Sequence, residues 1–117
     1  MFKIFKIIFV SAIIVLFISK FGLTNEEKIK IGLLVPMSGE KNKLGQSIIK
    51  STRLALKDIG TDKIEIYPKD TGLDPNKTLQ SAFELKNMGV KIIIGPIFYK
   101  SLEYLDEVQD IIFLSLT

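Results

Sequence analysis

Few residues in this chain can do chemistry at a ligand, and each follows an apolar run: Ser38 and Gly39, Asp70, Pro96 with Phe98 and Tyr99, and Ser115. Ser38-Gly39 can offer a hydroxyl and closely approached backbone N–H groups to a carboxylate, helped by the positive end of a following helix. The same dipeptide also serves simply as a turn. Asp70, in Asp70-Thr71-Gly72, can hold a ligand or a cation, but Asp with Gly two residues on is ordinary turn chemistry, which is the weightier reading. Phe98 and Tyr99 can wall a small-molecule site or pack beneath the next helix. Ser115 and Thr117 stand where the turn after a last strand would begin.

Residue content removes most catalytic schemes. The chain has no Cys and no His, which excludes disulfides, thiolate nucleophiles, Ser-His and Cys-His pairs and the usual zinc ligands. Gly39 and Gly45 do not form a dinucleotide fingerprint, and no glycine-rich loop ends in Lys-Ser or Lys-Thr to cradle a phosphate. A phospho-acceptor domain would need acidic residues after its first and third strands, where this chain has Met37-Ser38 and Pro96-Ile97. These residues therefore read as a non-enzymatic binding module that needs no cofactor and no metal.

The elements that position these turns follow from hydrophobic pattern. Ile31-Gly32-Leu33-Leu34-Val35 reads as a parallel strand covered on both faces, closed by Pro36. Glu40 to Lys43 reads as a solvated loop. A helix from Leu44 follows, with Leu44, Ile48, Ala55, Leu56 and Ile59 as its apolar stripe and Gly60 as its left-handed stop. Lys63 to Pro68 alternates polar and apolar, the pattern of an edge strand, and Asp70 to Gly72 forms its turn.

Asp74-Pro75 supplies an N-cap and a first-turn proline for a second helix carrying Leu79, Ala82, Phe83, Leu85 and Met88 and ending at Gly89. Val90 to Ile94 is a central strand closed by Gly95-Pro96. A short helix is expected from Ser101, with Leu102, Leu105 and Val108 on one side, and Ile111 to Leu114 begins a fourth strand. Right-handed crossovers turn this alternation into an α/β fold: a three-layer open parallel sheet of order 2-1-3-4 with helices on both faces. The crossover direction reverses between strands one and three, so the crevice is expected between the Ser38-Gly39 turn and the Pro96 to Tyr99 turn.

Residues 1–24 read as a segment apart. Lys3 and Lys6 precede an apolar run, Ile7 to Ile18, of the length of a secretory signal and short of the roughly 20 residues a spanning helix needs. Gly22-Leu23-Thr24 is the best cleavage candidate. Uncleaved, the segment stays as an N-terminal membrane anchor, and in both cases residue 25 onward lies across the membrane. The segment holds three of the chain's 16 Lys and Arg and none of its 13 Asp and Glu, so the remainder is neutral. The basic pI is therefore no sign of nucleic acid, and membrane contact is expected only through residues 1–24. Residues 25–28 are a polar linker, and residues 29–117 form the domain.

The set Leu34-Val35-Pro36-Met37-Ser38-Gly39, Leu44-Gly45-Gln46, Leu54-Ala55-Leu56, Asp70-Thr71-Gly72 and Ile94-Gly95-Pro96-Ile97-Phe98 resembles the type I periplasmic binding proteins of the leucine-binding family. Within that family it looks most like the branch that includes penicillin-binding-protein activators. The resemblance covers residues 29 to 117 in one register and implies part of an N-terminal lobe. A second lobe would complete the cleft, so the chain is expected to be an N-terminal piece whose apolar fourth strand leaves it marginally stable alone.

The resemblance further implies an extracytoplasmic, periplasmic protein that captures a small polar ligand such as an amino acid for an ABC-type permease. In the activator branch it implies instead an envelope regulator acting on a peptidoglycan synthase. Ser38 and Gly39 would correspond to the first-strand turn, Pro96, Phe98 and Tyr99 to the third-strand turn that lines the cleft. Transport members usually place Ser or Thr hydroxyls in that third turn, where this chain has Ile97-Phe98-Tyr99. Activators are usually lipoproteins, and this chain has no cysteine to acylate.

Overall fold

The computed structural model describes residues 2–20 and 27–117. Helix α1 covers Phe2–Lys20 and is apolar over most of its length. Its 19 residues rise about 28 Å at ~1.5 Å each, just under a hydrocarbon core of roughly 30 Å. Among the described residues no helix is long and apolar enough to cross a membrane. The cleavage candidate Gly22 to Thr24 and the first half of the 25–28 linker lie outside the described residues; Glu27 and Lys28 are exposed.

Strands β1 (Ile29–Val35), β2 (Ile64–Asp70), β3 (Ile92–Ile94) and β4 (Ile112–Leu114) form one sheet. Its order is β2-β1-β3-β4 and every pairing is parallel, as the sequence pattern predicts. Pro68 lies inside β2, opposite Leu33, without interrupting it. An edge strand allows this because one side of its backbone has no ladder to lose.

Alternation along β1 splits the core into two. Leu33 and Val35 face helix α2 (Asn42–Ile59) and pack with Ile49. Leu34 faces helix α3 (Pro75–Asn87) and packs with Ala82, Leu85, Val90, Ile93, Leu105 and Val108. The result is three layers, with residues 32–35 of β1 buried between the other two.

Local signals set the ends of both helices. Gly60 takes φ 71° and closes α2. Asp74 caps α3, its side chain accepting from the N–H groups of Asn76 and Lys77, with Pro75 in the first turn.

Several boundaries and faces differ from the sequence reading. Residues Gly39–Lys41 form a 3-10 turn and α2 starts at Asn42, so Glu40 to Lys43 is not a free loop. The face of α2 against the sheet is Gly45, Ile48, Ile49, Thr52 and Leu56, whereas Leu44, Ala55 and Ile59 are exposed. The reason is steric: a Cβ on Gly45 would lie 1.7 Å from the Pro36 carbonyl oxygen, so only glycine lets α2 seat on the end of β1 in this rotation.

On α3, Thr78 and Ser81 are buried and Phe83 is 38% exposed. The two hydroxyls tolerate burial because they donate to the carbonyls of Asp74 and Asp70, at 2.7 and 2.8 Å. The expected short helix after β3 is replaced by two 3-10 turns, Tyr99–Leu102 and Leu105–Glu107. They still bury Ser101, Leu105 and Val108.

Candidate functional site

Parallel register brings the C-terminal ends of all four strands to one rim. Val35 pairs with Asp70, Leu33 with Ile94, and Ile94 with Leu114. The segments leaving that rim begin at Pro36, Thr71, Gly95 and Ser115, so Ser38, Gly39, Asp70, Pro96, Phe98, Tyr99 and Ser115 all lie at or beyond the same end of the sheet.

Within the rim the residues fall into two groups. The first is centred on Asp70. Its Oδ1 accepts from the Met37 N–H at 2.7 Å and from the Gly72 N–H at 2.9 Å. Its Oδ2 accepts from the Ser38 hydroxyl at 2.6 Å and from Lys77 Nζ at 2.9 Å. Partial burial opposes ionisation of Asp70, but the donors from Ser38, Met37, Lys77 and Gly72 together outweigh it and hold the carboxyl well below the usual carboxylate range.

The backbone around Asp70 is fixed as well. The Thr71 N–H donates to the Val35 carbonyl at 3.0 Å, and Ser81 Oγ donates to the Asp70 carbonyl. Asp70 therefore ties the β1 turn, the β2 turn and the first turn of α3 into one unit.

The second group joins β3 to β4. The Pro96 carbonyl accepts from the Leu116 N–H at 3.3 Å and, at the long distance of 3.5 Å, from Ser115 Oγ. Pro96 is buried, Phe98 half-buried and Tyr99 71% exposed. Phe98 precedes the Tyr99–Leu102 turn, and its carbonyl accepts the Ser101 N–H at 3.0 Å. Gly95 takes φ 101°, and a Cβ there would come within 2.3 Å of the Leu34 carbonyl oxygen, so the chain leaves β3 hard against β1. Among the described residues no hydrogen bond joins the Ser38–Asp70 group to Phe98, Tyr99 or Ser115.

Met37, Lys77 and Ser81 complete the first group and are not evident from local sequence. Lys77 could have been found from its place in the first turn of the Asp74-Pro75 helix, one strand-turn away from Asp70. Among the described residues no cluster of three or more His, Cys, Asp or Glu could hold a metal ion. Concavities among the described residues lie away from the rim: about 440 Å³ along α2, between Gln46 and Lys57, about 350 Å³ at the opposite end of the sheet, around Lys28, Lys30 and Gly89, and about 280 Å³ on α1, around Phe5 and Phe9.

In an open parallel α/β sheet the turns that leave the carboxyl ends of the strands at the topological switch point are where ligands bind. The family model described as periplasmic binding protein matches residues 28–116, and the chain belongs to that family. Solved structures agree.

A periplasmic binding protein from Burkholderia mallei superposes with a TM-score of 0.67 at 19% identity, over 78% of this chain and 27% of that one. A solute-binding protein of an ABC transporter from Rhodopseudomonas palustris, in complex with 3,4-dihydroxybenzoic acid, gives 0.59 at 33% identity, over 63% and 22%. The C-domain of LpoA from Haemophilus influenzae, a regulator of PBP1A, gives 0.61 at 26% identity, over 74% and 27%. The chain thus spans about a quarter of the length of these structures. No curated protein matches it.

Proposed function

We propose that residues 29–117 form the ligand-facing part of an extracytoplasmic solute-binding lobe. It captures a small polar molecule, such as an amino acid, without chemical conversion, for an ABC-type permease. The observation that carries this reading is the parallel register that sets the Ser38–Asp70 turn and the Pro96 to Tyr99 turn side by side at one rim. Ser38, Gly39 and Asp70 supply the polar contacts, Phe98 and Tyr99 the apolar wall, and Pro96 and Ser115 the support behind it. The likeness to the solute-binding protein of the Rhodopseudomonas palustris ABC transporter supports the same role. Residues 1–24 act as the export signal or, uncleaved, as the anchor, with the lysines at positions 3 and 6 kept on the inner side.

A thermal-shift screen against amino acids and small aromatic acids tests this: a rise of several degrees with one ligand is expected. The likeness to LpoA favours a second reading, in which the lobe regulates a peptidoglycan synthase by protein contact. Recovery of such a synthase in a pulldown, with no small-molecule shift, would select it over ligand capture.

A further inference from the structure

We infer that the β1 turn recognises a hydrogen-bond donor on its ligand, an ammonium or a hydroxyl, through the lone pairs of Ser38 Oγ, and that Asp70 is the positioning residue that enforces this polarity. The inference rests on the ligand-capture reading above and specifies the ligand chemistry at that turn.

A serine hydroxyl has one proton and two lone pairs. Ionised Asp70 can only accept, so in the 2.6 Å contact the proton belongs to Ser38 and is committed to Oδ2. The carboxylate has no spare capacity that would let it turn away: each of its oxygens already takes two donors, Met37 and Gly72 on Oδ1, Ser38 and Lys77 on Oδ2. Ser38 is exposed at the rim while the Asp70 side chain behind it is only 19% exposed. A ligand therefore meets an oxygen whose lone pairs take no donor among the described residues and whose proton is already committed. A ligand carboxylate could bond Ser38 Oγ only by breaking a charge-assisted hydrogen bond, a cost that remains although Lys77 Nζ, 2.9 Å from Oδ2, offsets the Asp70 charge. An ammonium or hydroxyl donor requires no rearrangement.

The test is a titration of the ¹⁵N-labelled full chain in detergent micelles with two matched probe pairs, leucinamide against 4-methylpentanoate and phenethylamine against phenylacetate. The amides of Ser38 and Gly39 are the reporters. An amine probe is expected to move both amides and to bind about 10-fold more tightly than its matched acid, the worth of one charge-assisted hydrogen bond. Ser38→Ala should remove that preference by weakening the amines toward the affinity of their matched acids. Asp70→Asn should weaken amine binding and, with its charge gone, narrow the gap between amine and acid.

Tighter binding of the acids, weakened by Ser38→Ala, would overturn the inference while leaving ligand capture intact. No movement of the rim amides with any probe would count against ligand capture, and the inference would fall with it. Should Asp70→Asn unfold, Ser38→Ala alone carries the comparison, since it removes a single exposed oxygen.

Discussion

Ser38 Oγ and Asp70 Oδ2 lie 2.6 Å apart although 32 positions separate them in the chain. This contact, with the parallel pairing of Val35 and Asp70 behind it, makes the turns after β1 and β2 one structural unit. It also couples the candidate site to stability, because the carboxylate that orients Ser38 is the one that caps the Met37 and Gly72 N–H groups.

Asp70→Asn should destabilise the domain by about 2 kcal/mol at neutral pH, since charge-assisted hydrogen bonds to a half-buried carboxylate are replaced by weaker ones. The effect has a defined pH dependence. The folded carboxyl is depressed below its unfolded value of about 4, so its contribution is fully present above about pH 5 and declines as the pH falls through 4 and below. Urea midpoints of the two proteins should therefore differ most at about pH 7 and draw steadily together as the pH falls below about 4. A difference that grows on acidification would contradict the assignment.

Gly45→Ala tests the seating of α2 on the β1 turn. The added Cβ would fall 1.7 Å from the Pro36 carbonyl oxygen, which is backbone and cannot rotate away. A loss of about 3 kcal/mol or more is expected from this overpacking. The rim amides of Met37 to Gly39 should shift in the same variant, because the helix must move relative to the turn.

Asp74→Ala removes the side chain that accepts from the N–H groups of Asn76 and Lys77. The expected cost is about 1 kcal/mol. Thermal melts should show a lowered midpoint, and amide exchange should accelerate first in the opening turn of α3, where Lys77 would also lose its fixed approach to Asp70.

Leu34→Ala should cost about 3 kcal/mol, as Leu34 is fully buried in the core facing α3. Phe83→Ala, on the same helix layer but 38% exposed, should cost less than about 1 kcal/mol despite removing the larger side chain. Denaturant titrations of the two variants would reverse in order if the core followed hydrophobicity alone and not the observed faces.

The chain's own sequence determined the elements that local physics controls. Unbroken apolar residues from Ile31 to Val35 and the alternation from Lys63 to Pro68 distinguish a central from an edge strand, which is enough to order the sheet. Gly60 and Asp74-Pro75 mark helix ends because capping depends on neighbours within one turn. Long-range contact decided the rest. The stripe of α2 is rotated away from Leu44 and Ile59 by a single glycine–proline approach, and the hydroxyls of Thr78 and Ser81 enter the core because carbonyls of Asp74 and Asp70 wait there. Above all, Asp70 reads locally as a turn residue, and it does bond the Gly72 N–H in that way. Its hold on Ser38 and Met37 exists only once two parallel strands end side by side, since that alone brings the β1 turn to a carboxylate that Gly72 and Lys77 reach from its own side.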